Sequence, residues 1–393
     1  MKQKTVTLGS VCNLVNGKAF KPSDWSTSGV PIVRIQNLNG LNRPFNYFAG
    51  SLSNQIKVKS GNLLLAWSGT PGTSFGAHIW GGEEAILNQH IFRCDIDRAA
   101  ITAEWAKFVI NAQLDQLVDL AHGGVGLKHV TRGIVEDLEI PLPPLSEQSR
   151  IAEVLDRAEA VRAKRRAALA QLDTLTQSIF LSLFGDPIIN SKGWPIRLVS
   201  EYVAEFQGGR SIEAESDDGV TTRNRVLKVS AVTEMKYVSR ESKPVPDSYN
   251  PPDEHFVRAG DLLFSRANTT ELVGAVAYVH DTPRNVLLPD KLWRFVWRKP
   301  VLADPLFVWS LFQTAALRRE IARRATGTSG SMKNISQEKV LGISTILPPL
   351  PLQREFSKRL MSVENLKTVH QYSLSRLDFL FTSLQHRAFR GDL

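Results

Sequence analysis

Residues Leu142-Pro143-Pro144-Leu145 return as Leu347-Pro348-Pro349-Leu350, 205 positions later. The same offset ties Lys128-His129-Val130-Thr131 to Lys333-Asn334-Ile335-Ser336, Gln148 to Gln353 and Phe184 to Phe389. One offset held over about 60 residues marks a duplicated unit, so this chain folds as two copies of one plan rather than around a single core. Further upstream the offset drifts, as insertions in connecting loops would make it. Gly61-Asn62-Leu63-Leu64-Leu65 parallels Gly260-Asp261-Leu262-Leu263-Phe264, and Leu87-Asn88-Gln89-His90-Ile91-Phe92-Arg93 parallels Leu288-Pro289-Asp290-Lys291-Leu292-Trp293-Arg294.

Each copy opens with Gly-, Pro- and Asn-rich sequence holding short apolar runs such as Ile32-Val33-Arg34-Ile35 and Ala275-Val276-Ala277-Tyr278-Val279, which read as strands between turns. Glu104 to Ile110 and Pro305 to Leu311 keep helical spacing at equivalent places. A mixed, strand-rich α/β globule is therefore expected twice. After each double proline comes a long segment with helical character, ended by Gly185 and Gly391. The predicted organisation is a globule over 1–145, a long helix over 146–184, a linker over 185–195, a second globule over 196–350 and a second long helix over 351–390.

With Ile151 as heptad position a, the first helix carries Ile151, Val154, Val161, Leu172, Leu175 and Ile179 on one stripe. Moving that register by 205 gives Phe356, Val363, Leu366, Leu377, Leu380 and Leu384. An amphipathic helix this long is marginal unless its stripe is buried, so the two helices are expected to pair as an antiparallel coiled coil with pseudo-twofold symmetry.

The chain carries 48 Lys and Arg against 39 Asp and Glu, a net +9. Residues 1–145 contribute +2, 146–186 contribute 0, 187–350 contribute +4 and 351–393 contribute +3. The excess sits on folded parts rather than on a basic tail, which favours a polyanionic partner met by modest surface patches. Cys12 and Cys94 form no CxxC pair, and two buried thiols are expected. No apolar run approaches the ~18–20 residues of a membrane span, and Met1-Lys2-Gln3-Lys4-Thr5 opens into no secretory core, so a cytoplasmic location is expected.

Catalytic look-alikes lack their context. Gly72-Thr73-Ser74-Phe75-Gly76 fits the spacing of a nucleophile elbow, but Pro71-Gly72 breaks the strand entry and no helix start follows. Asn250-Pro251-Pro252-Asp253 resembles the element that positions adenine in amino-methyltransferases, with Asp253 where the stacking aromatic belongs. No acidic-x-Lys element follows Asp247, Asp253 or Asp290, and the His residues lack ligand spacing, so no metal site is expected. Gly123-Gly124-Val125-Gly126-Leu127-Lys128 and Gly327-Thr328-Ser329-Gly330-Ser331-Met332-Lys333 are not nucleotide loops. They end in Lys at one repeat-related position, which suits contact with a nucleic-acid phosphate.

Pro141-Leu142-Pro143-Pro144-Leu145-Ser146-Glu147-Gln148 running into Ile151-Ala152-Glu153-Val154-Leu155-Asp156, with Phe184-Gly185-Asp186-Pro187 and Lys192-Gly193-Trp194-Pro195 entering the second copy, resembles the specificity subunit of type I restriction-modification enzymes. The second copy departs at Pro351-Leu352, which stands in place of Ser-Glu and is expected to alter the helix start rather than the fold. The resemblance implies a noncatalytic chain that reads a bipartite, asymmetric target in double-stranded DNA. It also implies partner subunits: methyltransferases, two of them expected, and restriction/translocase subunits. S-adenosylmethionine, ATP and Mg would belong to those partners, with no cofactor bound by this chain. Candidate DNA contacts are Arg34, Ser68, Asn88, Gln89, Lys128 and His129 in the first copy and Arg223, Arg225, Arg266, Lys291, Lys333 and Asn334 in the second. Two other readings stay open on sequence alone: a noncatalytic coiled-coil scaffold or ligand-binding adaptor, and a DNA adenine methyltransferase using Asn250 to Asp253.

Overall fold

The computed structural model describes residues 4–38, 43–50, 56–69, 75–120, 128–212, 222–329 and 332–393. Gly72 to Ser74, Gly123 to Leu127, Gly330 and Ser331, singled out above, lie outside them. The chain forms two compact units, one of Met1–Ala167 with Gln371–Leu393 and one of Ala168–His370. Each unit therefore holds one globule and one half of each long helix.

In the first unit an antiparallel sheet runs in the order Cys12–Asn16, Ile91–Ile96, Leu63–Ala66, Gly76–Ile79. Leu63 to Ala66 are buried on both faces, which is why that strand is a continuous apolar run. A second sheet has the order Asn46–Phe48, Val30–Val33, Ala85–Leu87, Lys57–Val58, and in it Val30–Val33 runs parallel to Ala85–Leu87. The second unit repeats the plan. Its antiparallel sheet is Val203–Gly208, Leu292–Trp297, Leu262–Ser265, Val276–Tyr278, and its second sheet again pairs one strand in parallel, Arg225–Leu227 beside Val286–Leu287. The segment expected to be strand through Ile35 stops at Val33, and a short helix begins at Ile35.

The repeated sequence blocks are repeated joints. Gly61 and Gly260 take positive φ (86° and 94°) in matching turns, where the amide of Lys59 donates to Asn62 Oδ1 and that of Arg258 to Asp261 Oδ2. Arg93 and Arg294 each brace such a turn by donating to a carbonyl, of Lys57 at 2.5 Å and of Phe256 at 3.0 Å. The helix Ala103–Ala112 is capped by the Thr102 hydroxyl and the helix Pro305–Gln313 by the Asp304 carboxylate, with Pro305 in its first turn. Cys12 and Cys94 are both buried.

The long helices span Leu145–Phe184 and Leu350–Arg390, 40 and 41 residues or roughly 60 Å each. Gly185 and Gly391 follow them with positive φ (74° and 78°), the left-handed residue that closes a helix. The starts differ by 205, so Pro351 sits in the first turn without moving it. Gln148 and Gln353 are fully buried just inside these starts. Gln148 accepts from the Thr102 amide and donates to Ala100 and Pro143 carbonyls; Gln353 accepts from Asp304 and donates to Leu302 and Pro348.

In the first unit Arg150 lies against Leu393 and Arg162 against Asp378. In the second, Lys367 meets Asp173 and Phe356 meets Phe180 and Phe184. In both, residue numbers rise along one helix as they fall along the other, so the helices run antiparallel. The packed residues differ from the expected stripe. Ile151, Leu172, Phe356 and Val363 are buried, and Val154, Ile179, Leu377 and Leu384 partly so, whereas Val161, Leu175, Leu366 and Leu380 are solvent-exposed. Arg162, Lys367 and Phe381, each one position after Val161, Leu366 and Leu380, turn inward in their place, and Phe180 and Leu360 are buried as well. The aliphatic stems of Arg162 and Lys367 fill the seam while partner carboxylates neutralise their heads, a pairing that hydrophobicity alone does not register.

Candidate nucleic-acid interface

One end of the main sheet presents the same backbone construction in both units. In the first, the amide of Trp67 donates to His90 O and the amide of Val130 to Trp67 O, while Ser68–Gly69 pairs with Lys128–His129. In the second, the amide of Arg266 donates to Lys291 O and that of Ile335 to Arg266 O, while Ala267–Asn268 pairs with Met332–Asn334. The scaffold is conserved between the copies and its side chains are not: Trp67 answers Arg266, Gln89 answers Asp290, His90 answers Lys291 and His129 answers Asn334. A fixed frame carrying different hydrogen-bonding groups is what two readers of unlike sequences require.

Four candidates of the second copy meet here. Arg266 donates to the Asp290 carbonyl at 2.9 Å, reaches its carboxylate at 3.5 Å and lies over the Trp293 ring. Lys291 is exposed beside it. Lys333 and Asn334 arrive on the neighbouring strand, with Lys333 Nζ 2.9 Å from Gly327 O. The other two stand apart. Arg223 is exposed next to Asp247, which takes its amide, and the Arg225 guanidinium is bound by Ser242 through Oγ and the carbonyl, both at 3.0 Å. Arg225 thus ties two strands together.

In the first copy Ser68 is buried, and Lys128 and His129 are placed by their backbone pairing alone. Arg34, Asn88 and Gln89 come together at a cleft of about 330 Å³ whose other walls include Phe20, Trp25 and His90. Arg34 stacks over Trp25 with its Cζ 5.3 Å from the ring and donates to Asn46 Oδ1 at 3.2 Å. Trp25 is one residue that sequence reasoning missed, because nothing local marks it. Lys228 is another. Lys228 and Arg34 both sit between an apolar strand and a short helix, and their carbonyls accept from Ala231 and Asn37 three residues on. The signal was present: Ile32-Val33-Arg34-Ile35 and Val226-Leu227-Lys228-Val229 share one pattern.

Asn250 to Asp253 lead into a surface 3-10 turn, and Asp253 pairs with Arg258 there. Among the described residues no group of three His, Cys, Asp or Glu side chains could hold a metal ion, and no helix is long and apolar enough to cross a membrane.

Residues 2–171 match a family model described as the type I restriction modification DNA specificity domain. The chain is 22% identical to the specificity subunit of the type I restriction enzyme EcoBI of Escherichia coli, an alignment covering 99% of this chain and 85% of that one. Identity is also 22% to the MjaVIII specificity subunit of Methanocaldococcus jannaschii, over 81% of this chain and 76% of that one. The crystal structure of the type I restriction-modification S subunit from M. genitalium superposes with a TM-score of 0.61 at 13% identity, covering 98% of this chain and 96% of that one. Over nearly its whole length the chain is thus similar to specificity subunits of type I restriction-modification enzymes, and its residues 2–171 match their DNA specificity domain.

Proposed function

We propose that residues 1–145 and 196–350 each read one half-site of a bipartite, asymmetric target in double-stranded DNA, and that the helices over 146–184 and 351–390, joined through the linker 185–195, set the unread gap. The observation that carries this is the shared frame at the sheet end with unlike side chains on it: Trp67, Gln89 and His90 in one copy, Arg266, Asp290 and Lys291 in the other. Arg34, Asn88, Gln89, Arg266, Lys291, Lys333 and Asn334 are the contacts this reading favours, with Ser68, Lys128 and His129 near those of the first copy, Arg223 apart from them and Arg225 in a bracing role. Two methyltransferase subunits and restriction/translocase subunits complete the assembly in the cytoplasm and bring S-adenosylmethionine, ATP and Mg with them. This chain supplies the address and binds no cofactor.

Exchanging residues 1–145 for the matching part of a relative, then sequencing the methylome of the host, tests the reading. One half of the methylated sequence should change and the other persist. A simultaneous change in both halves would defeat the two-reader assignment.

A further inference from the structure

The cleft between Trp25, Arg34 and Asn88 has a lining that a stacked duplex does not use. Phe20 and Trp25 line it, and Trp25 remains 37% exposed with the Arg34 guanidinium over its ring. The Asn88 side-chain amide has no hydrogen-bond partner among the described residues, and the Gln89 amide meets only the His90 ring, at 3.0 Å. The main chain that carries Asn88, and the Arg34 guanidinium, are held in place before any ligand arrives. The main-chain N–H of Asn88 donates to Val33 O at 3.1 Å and its main-chain carbonyl accepts from the Ile91 N–H. Gly17 presses so close that a Cβ there would lie 2.1 Å from the Asn88 oxygen, which only glycine permits. Asn46 fixes Arg34. Lys18, exposed, lies 5.6 Å from the Phe20 ring, a cation beside the aromatic wall.

Base edges in a groove are read by side chains that protrude, whereas a concave site with aromatic walls and free amides suits a flat heteroaromatic ring that has left its stack. A phosphate gains nothing from Phe20 and Trp25. A nucleobase gains a stacking face from Trp25, and Asn88 and Gln89 match the donors and acceptors on its edge. We infer that the Trp25–Arg34–Asn88 cleft holds one unstacked nucleobase of the half-site read by the first globule, with Lys18 placed for the adjoining backbone phosphate. The inference rests on the DNA-contact reading above and extends it to a base contacted outside the helix. It applies to one half-site only. In the second unit Pro289 and Asp290 replace the amide pair, and Arg266 already occupies the Asp290 carboxylate.

The test uses the assembled methyltransferase complex and a duplex bearing the target obtained from methylome sequencing. Each base pair of the first half-site, apart from the methylated pair, is converted in turn to a mismatch by changing one strand. A mismatch normally weakens specific binding, but where a base is extruded it removes part of the unpairing cost and tightens binding. One position should therefore bind about 3- to 30-fold tighter as a mismatch. Trp25→Ala should abolish that gain, while Trp25→Phe, which keeps an aromatic face, should retain most of it. If every mismatch weakens binding or leaves it unchanged, or if the gain survives Trp25→Ala, no base enters this cleft. If the matched target is not bound specifically at all, the DNA-contact reading itself falls.

Discussion

Arg162 of the first long helix lies with its Nε 2.7 Å from the Asp378 carboxylate of the second, and adding 205 to Arg162 and subtracting 205 from Asp378 gives the pair Lys367 and Asp173, 2.9 Å apart. Glu159 and Glu364, also 205 apart, support the two cations from one turn earlier. The face of Phe381 lies 4.2 Å from the Arg162 guanidinium, and its repeat counterpart Thr176 takes a hydrogen bond from Lys367. The duplication is thus written into the seam as a reciprocal exchange, each cation reaching the acid of the other copy. A parallel pairing, or an antiparallel one slipped by a heptad, would separate both cations from their partners.

Charge reversal tests that register. Arg162→Asp places two carboxylates together on a seam where Arg162 is only 15% exposed, and should cost about 1–3 kcal/mol in a urea melt. Adding Asp378→Arg should recover most of the loss. A double variant no better than the single one would show that the pair does not specify the helix alignment.

Gln148→Leu should be more damaging than a surface change and should affect the first unit. It strips the Thr102 amide and two carbonyls of their buried partner, at about 2–4 kcal/mol for the set. Gln353→Leu should do the same in the second unit. Hydrogen exchange read by mass spectrometry resolves the two. Protection should fall around Ala100 to Trp105 in one variant and around Leu302 to Phe307 in the other. Equal losses across both units would mean that the glutamines do not act as separate joints.

The repeat was legible because it preserves joints: the capped helix starts, the Gly61 and Gly260 turns, and the two buried glutamines all rest on short motifs with local causes. The helix seam was legible only in outline. Apolar stripes point to Val161, Leu175, Leu366 and Leu380, yet the seam takes Arg162 and Lys367 because Asp378 and Asp173 wait across it, and a cation's partner on another helix leaves no mark in its own neighbourhood. The same holds at the site. Arg225 and Lys228 are both basic and three residues apart, and only the fold shows that Ser242 takes the guanidinium of one while the other occupies the place of Arg34.

His78 gives the first unit an acid sensitivity. Burial, and then the positive charge of Lys107, hold its pKa below the ordinary 6.5; Glu159 lines the same cavity. The unfolded chain takes up a proton near pH 6.5 while the folded one resists it, so this contribution is complete above that value and is lost as pH falls through the lowered folded pKa. The melting temperature should drop between pH 7.5 and 5.5, and His78→Gln should shrink the drop. His280, lowered by burial in the second unit, leaves a residual slope. An undiminished drop in the variant would rule His78 out as its source.

Lys228→Ala and Arg34→Ala probe equivalent places. If Lys228 meets a phosphate, its loss should weaken binding on all sequences and reduce the slope of log K against log salt by about one. If Arg34 meets a base edge, its loss should relax preference at one base pair of the first half-site by about 1–3 kcal/mol. Anisotropy titrations at several salt concentrations separate the two patterns. Unchanged slope and unchanged preference would remove both residues from the interface.

The helices as a ruler can be tested without disturbing either seam. Insertion of seven residues after Ala167 and seven more after His370 falls at the boundary between the two compact units, so the Arg162–Asp378 and Lys367–Asp173 pairs each stay within one unit. Seven residues preserve the phase of a 3.5-residue repeat and lengthen each helix by about 10.5 Å. At ~3.4 Å per base pair that is about three base pairs of DNA. Methylome sequencing should then find the same two half-sites with the gap widened by about that number. A complex that still methylates at the original spacing would show that these helices do not set the distance between the half-sites.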